Sequence, residues 1–139
     1  MKLLKKAAAG AATAGILAGG MLFATAQPAS AAVSCNWVVK GDGAWLPGYV
    51  SGSTATRECQ LAQGNNNQGV RQLQTTLNKC YGRSLDEDGD FGPLTKSALI
   101  YAQKKAFPND SSQWDGIYGP NTRKGILHEA TTSGCKRVN

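Results

Sequence analysis

The stretch DGDFGPLTK, Asp88 to Lys96, returns 27 positions later as DGIYGPNTR, Asp115 to Arg123. In chemical terms both read Asp-Gly, a variable residue, an aromatic, Gly-Pro, a second variable residue, Thr and a base. Such a string dictates local structure. Asp-Gly is a turn signal, because glycine takes positive φ without a steric penalty. Gly92 and Gly119 then fall at a helix N-cap, and Pro93 and Pro120 at the first helical position, where a missing N–H costs nothing. Phe91 and Tyr118 precede those caps, the place from which an apolar side chain staples the chain to the new helix. Thr95 and Thr122 follow at the third helical position, within reach of the Asp and the loop. The device starts a helix, and the chain uses it twice.

The helices themselves can be traced. After the first start, LTKSALIYAQKKAF places Leu94, Ala98, Leu99 and Ala102 on one face, and Pro108 bars continuation. After the second, NTRKGILHEA carries Ile126, Leu127 and Ala130 in a shorter helix. Upstream, GVRQLQTTLNKCYG repeats Val70, Leu73, Leu77 and Cys80 at helical steps, with Gly82 as its stop. The prediction is an all-α domain of three short helices. Before it, Cys35 to Gly64 is Gly-rich and broken, with NWVVK and WLPGYV flanking GDG as a small irregular hairpin.

The N-terminus reads as an export signal. MKLLKK is basic, Ala7 to Ala26 is almost wholly apolar or small, and Ala29-Ser30-Ala31 makes a cleavage box. The expected division is a signal peptide over 1–31, an extension over 32–63 and the helical domain over 64–139. Length alone would allow a membrane span, and AVSC at Cys35 invites a lipid anchor. A processing box after an Ala/Gly-rich run argues against the first, and the polar QPAS before the cysteine against the second. From Ala32 onwards, twelve basic residues face nine acidic ones, a net +3. That is too mild for a nucleic-acid stripe and suits an anionic cell surface.

Cys35, Cys59, Cys80 and Cys135 are an even set in an exported chain, which reads as two disulfides. With no C-x-x-C and a single histidine, His128, a zinc site is not indicated. Three connectivities are open. Locality favours Cys35–Cys59, and the buried facing of Cys80 favours Cys80–Cys135.

The ordered motifs VRQLQTTL, DGDFGPLTKSALIYAQ and DGIYGPNT resemble the peptidoglycan-binding domain family found on many bacterial cell-wall hydrolases. The match runs through Val70, Leu73, Gln74, Leu77, Asp88, Gly89, Phe91, Gly92, Thr95, Ala98, Leu99 and Gln103. It continues through Asp115, Gly116, Gly119 and Thr122, and covers roughly Gly64 to Ala130. The resemblance implies a compact three-helix fold and non-catalytic binding to peptidoglycan, in a secreted, actinobacterial-type variant. Ala102 stands where the family usually has Phe, so the core must be filled from elsewhere, the extension being the available source. A secreted cell-wall hydrolase is the partner the resemblance suggests. The alternative is an inhibitor or pro-region-like protein docking on such a hydrolase, because the helical fold also resembles some metalloprotease pro-domains. A third reading makes the repeat purely structural.

The two copies share their structural residues, so function is sought where they differ. Trp114, Tyr118 and Asn121 replace Glu87, Phe91 and Leu94. An exposed Trp114 beside Tyr118 could stack on a sugar face, with its N–H free to hydrogen-bond. Lys96 and Arg123 follow the two helix starts, and Arg71 lies near the start of the first helix. With the unpaired N–H groups there, they could hold a carboxylate of the stem peptide. Trp114, Tyr118, Asn121, Arg123, Lys96 and Arg71 are therefore the candidate ligand contacts. Core packing against Cys135 or the extension is the rival reading for Trp114, and Trp37 and Trp45 carry the same two readings, tilted towards packing in the extension. Gln74 and Gln103 read as amides satisfying loop backbone groups. Asp86, Asp88 and Asp90 alternate as in a calcium loop, but Phe91 would stand where that loop needs glycine and Ser97 where it needs a bidentate acid. His128 reads as a solvated helix residue. No catalytic residue, metal or cofactor is expected, and the chain is expected to be a monomer associated with the cell wall.

Overall fold

The computed structural model describes residues 32–139, and the export signal read over 1–31 lies outside them. Helix α1 (Gln68–Tyr81) starts at Asn67, whose side chain accepts from the Val70 N–H, and ends at Gly82 with φ 61°. Its buried stripe includes Val70, Leu73 and Leu77. Helices α2 (Pro93–Ala106) and α3 (Pro120–Gly125) both start at an extended glycine followed by proline. A short 3-10 turn at Ser111–Gln113 links α2 to the second Asp-Gly turn. No helix among the described residues is long and apolar enough to cross a membrane.

The expectation of an all-α fold is overturned: the architecture is mixed α/β. Strands β1 (Trp37–Gly41), β2 (Ala44–Ser51) and β3 (Thr54–Thr56) form an antiparallel sheet with β2 in the middle. Asp42 and Gly43 close the first hairpin with φ 51° and 75°, the double-positive geometry of a type I′ turn. Strand β2 runs through Pro47 and Gly48, inside the stretch that reads from sequence as Gly-rich and broken. In the fold Gly48 is needed inside the strand, because a Cβ there would lie 2.5 Å from both Val39 methyl groups. Packing of this sheet on α1, through β2 above all, overrides the weak local signal.

Three further expectations are corrected. The third helix stops at Gly125 and does not reach Ala130. The chain turns extended at Ile126 and pairs β4 (His128–Glu129) with β5 (Cys135–Lys136). His128 is fully buried, not solvated. Leu94, placed with the apolar face of α2, is 77% exposed.

The main core joins Val70, Leu73 and Leu77 of α1 to Leu99 and Ala102 of α2 and to Phe91, Tyr118 and Ile126. Leu61 and the Cys35–Cys59 pair complete it. Ala102 thus shares its core with residues of the extension. Each buried Leu or Phe side chain stabilises by roughly 1.5–3 kcal/mol relative to an exposed one. Cys35–Cys59 and Cys80–Cys135 are the two disulfides, with sequence separations of 24 and 55. In the loop-entropy picture they contribute roughly 3.5 and about 4 kcal/mol at most.

One short segment touches both copies of the turn. The Leu61 and Tyr118 N–H groups each donate to the other's carbonyl at 2.8 Å. Gly64 N–H donates to Phe91 O and Phe91 N–H to Asn65 O, at 3.0 and 2.9 Å.

Candidate functional site

Each Asp-Gly turn is held by one glutamine from the preceding helix. Gln74 Nε2 donates to Asp88 Oδ1, Asp90 O and Thr95 Oγ1 at 2.9, 3.0 and 3.2 Å, while Gln74 Oε1 accepts from the Gly89 N–H at 2.9 Å. Gln103 repeats the set. Its Nε2 donates to Asp115 Oδ1, Ile117 O and Thr122 Oγ1 at 2.9, 3.0 and 3.0 Å, and its Oε1 accepts from the Gly116 N–H at 2.9 Å. Both amides are buried, so these bonds satisfy groups that water cannot reach. Asp88 is held below the usual carboxylate range, first by the Asp90 N–H and then by the Gln74 amide. Asp115 accepts from the Ile117 N–H in the same manner. Both carboxylates are thereby engaged as turn acceptors.

Two grooves flank each helix start, and they correspond between the copies. At the first turn a cleft of about 210 Å³ is lined by Asp86, Asp88, Asp90, Pro93 and Leu94. Its neighbour, about 300 Å³, lies between Arg83, Leu85, Leu94 and Ser97. At the second turn the matching cleft of about 400 Å³ is lined by Gln113, Asp115, Ile117, Pro120 and Asn121. Its neighbour, about 430 Å³, lies between Phe107, Gln113, Asn121, Lys124 and Arg137. Gln113 and Asn121 line both second-turn grooves. Two of the three aspartates of the first cleft are absent from the second, replaced by Gln113 and Ile117. The second turn is the less acidic of the two, and it gains Lys124 and Arg137.

Residues 66–126 match the family model described as "Putative peptidoglycan binding domain". Over this stretch the chain carries a peptidoglycan-binding family match. A probable N-acetylmuramoyl-L-alanine amidase of Bacillus licheniformis is 37% identical to the chain over 82 residues, which cover 56% of the chain and 22% of the amidase. The chain therefore spans only a minor part of that relative's length.

Within the matched stretch the six residues singled out from sequence take three different places. Tyr118 is fully buried, in edge-to-face contact with His128. Burial pushes its phenol well above the ordinary range. Arg123 is 2% exposed, donating from Nη1 to Asn139 O and from Nη2 to Glu58 Oε1, both at 2.7 Å. Neither Tyr118 nor Arg123 offers a surface to a ligand here; both hold α3 to the rest of the molecule. Arg71 is exposed at the first turn, where its charge acts on Asp88.

The others lie at the second turn. Asn121 is exposed and shared by its two grooves. Lys96 lays its stem on Gly116, where a Cβ would approach Lys96 Cγ to 2.7 Å. Trp114 is half-buried, with the Lys104 ammonium 5.3 Å from the ring centroid. Its N–H is not free: Nε1 donates to Phe107 O at 2.9 Å.

Sequence reasoning missed Phe107, Gln113, Lys124 and Arg137. Gln113 sits beside Trp114 and could have been found by the same comparison of copies, since it stands where the first copy has Asp86. Arg137 had no local signal. It arrives through the Cys80–Cys135 link, which fixes the tail two residues upstream of it.

Proposed function

We propose that this chain is a secreted, non-catalytic protein that binds cell-wall peptidoglycan through the two grooves flanking Asn121, on the turn that also carries Trp114 and receives the Lys96 stem. The observation that carries this reading is the difference between the two turns. Wall peptides carry carboxylates, and a cleft lined by Asp86, Asp88 and Asp90 repels them, whereas the second turn sets two amides and two bases against Asp110 and Asp115, both engaged in loop hydrogen bonds. The absence of catalysis is supported by the engagement of Asp88 and Asp115 in turn hydrogen bonds and by the burial of His128.

The test is sedimentation with purified cell walls stripped of protein. The native chain should pellet with them. A Gln113→Asp/Asn121→Asp variant, which gives the second turn the acidity of the first, should stay in the supernatant while keeping its circular dichroism. Asp86→Asn should pellet as before. If the acidic variant pellets fully, the binding surface lies elsewhere. If nothing pellets, the reading fails, and docking on a secreted hydrolase becomes the better account.

A further inference from the structure

We infer that the groove between Phe107 and Arg137 recognises the peptide branch of the wall polymer through its free carboxylates, and does not grip the glycan. This inference rests on the wall-binding reading above and narrows it to a substrate class.

The lining has the chemistry of a peptide site. Phe107 supplies an apolar wall, and the Gln113 and Asn121 amides can each donate to and accept from a peptide group. Lys124 and Arg137 supply two cations, both exposed. The three ion pairs among the described residues engage Arg57, Lys79 and Arg123, so Lys124 and Arg137 have no carboxylate of their own. One acid lines the groove, Asp110, and it is turned to local use. Its Oδ1 accepts from the Ser112 N–H at 3.1 Å and from the Ser112 hydroxyl at 2.5 Å. The balance favours a bound anion. At about 430 Å³ the groove is within the range of sites that hold small ligands.

The cations are positioned by rigid elements. Lys124 belongs to the last turn of α3. Arg137 follows β5, whose Cys135 is linked to Cys80 in the last turn of α1. The matching groove of the first turn has Ser97 in place of Lys124, and its Arg83 is stacked on Tyr101 with 4.2 Å to the ring centroid. Nothing from the tail reaches that groove. The aromatic ring that lines this groove is also committed. Phe107 packs onto the backbone of Gly125, and a Cβ there would come within 2.9 Å of three ring atoms.

The test titrates the full chain by calorimetry with a synthetic stem tetrapeptide, L-alanyl-γ-D-glutamyl-L-lysyl-D-alanine, and with the same peptide amidated at both carboxyls. Wall pelleting is run in parallel with intact walls and with glycan strands freed of peptide. The carboxylate form should bind and the amidated form bind about tenfold more weakly, since charge-assisted hydrogen bonds are the stronger ones. Lys124→Gln/Arg137→Gln should show a similar loss for the peptide and for intact walls. Lys40→Gln/Lys136→Gln, which removes the same charge from the strands, should not. Added salt should weaken binding of the native chain. Equal affinity for the two peptides, unchanged binding by the groove variant, or pelleting with peptide-free glycan alone would overturn the inference while leaving wall binding intact. Failure to pellet with any wall preparation would overturn both.

Discussion

Phe107 occupies the space that a side chain on residue 125 would need: a Cβ on Gly125 would lie 2.1 Å from the Phe107 ring Cζ. The contact closes α2 against α3 and shapes one side of the basic groove. Gly125→Ala should gain about 1 kcal/mol of helix propensity yet lose more by overpacking, roughly 1–3 kcal/mol. The expected net result is a lower urea midpoint together with weaker wall pelleting. An unchanged midpoint would show that the ring moves aside freely.

Gly89 and Gly116 do the same work in the two turns, with φ 82° and 71°. Alanine at either position should cost roughly 1–2 kcal/mol from left-handed strain alone. The surroundings then separate them. A Cβ on Gly89 meets the Asn67 carbonyl oxygen at 2.9 Å, a backbone atom that cannot step aside, whereas Gly116 faces the flexible Lys96 stem. Gly89→Ala should therefore be the more destabilising, and parallel urea melts of the two variants decide the order.

His128 makes stability depend on acid. Burial lowers its pKa from 6.5 to about 4, and the nearby Arg123 charge acts in the same direction. Between those values the unfolded chain binds a proton that the folded chain refuses, so stability falls as pH drops from about 6.5 towards 4. Above that window the contribution is fully present. The loss should approach about 3 kcal/mol across the window, at 1.36 kcal/mol per pKa unit. His128→Phe should flatten the curve between pH 6.5 and 4.5, whatever it does to absolute stability. A native chain with the same urea midpoint at both pH values would contradict the assignment.

Trp114 can be divided into its ring and its N–H. Trp114→Phe keeps an aromatic but removes the donor to Phe107 O, which should cost about 1 kcal/mol of stability and leave pelleting nearly intact. Trp114→Ala should weaken wall binding about tenfold or more, the loss typical of an aromatic anchor. If the alanine variant stays folded and pellets like the native chain, the ring is no part of the site.

Much of this molecule was legible in its sequence because short-range chemistry determines it. The caps at Gly92 and Gly119, the prolines after them and the positive φ of Gly89 and Gly116 follow from steric rules that act within a few residues. The Asp42-Gly43 hairpin was visible too, but the strands around it were underrated. Pro47 and Gly48 look like breakers until Val39 is placed against Gly48. His128 reads from sequence as solvated and Arg123 as a ligand contact, while Tyr118 reads both as a staple and as a ligand contact; only the staple agrees with its burial. Arg123 is held by Glu58 and Asn139, Tyr118 pairs with Leu61, and His128 packs on both, contacts with distant segments that no local pattern encodes. The disulfide pairing followed from locality and helix facing, whereas Arg137's arrival beside Lys124 is a tertiary consequence of that pairing.

The backbone seam that joins residues 61–65 to both turns sets how the protein could be engineered as an anchor for cargo. A fusion carrying only 66–126 would strip Tyr118 of its two bonds to Leu61 and Phe91 of its bonds to Gly64 and Asn65. It would also open the core where Leu61 sits. A transplant starting at Cys35 carries the seam and its disulfide intact, and one running through Asn139 keeps the tail that Cys135 ties down, with Val138 buried and the Asn139 carbonyl on Arg123. The transferable unit is therefore longer than its recognisable motifs, and its limits are drawn by strand pairing.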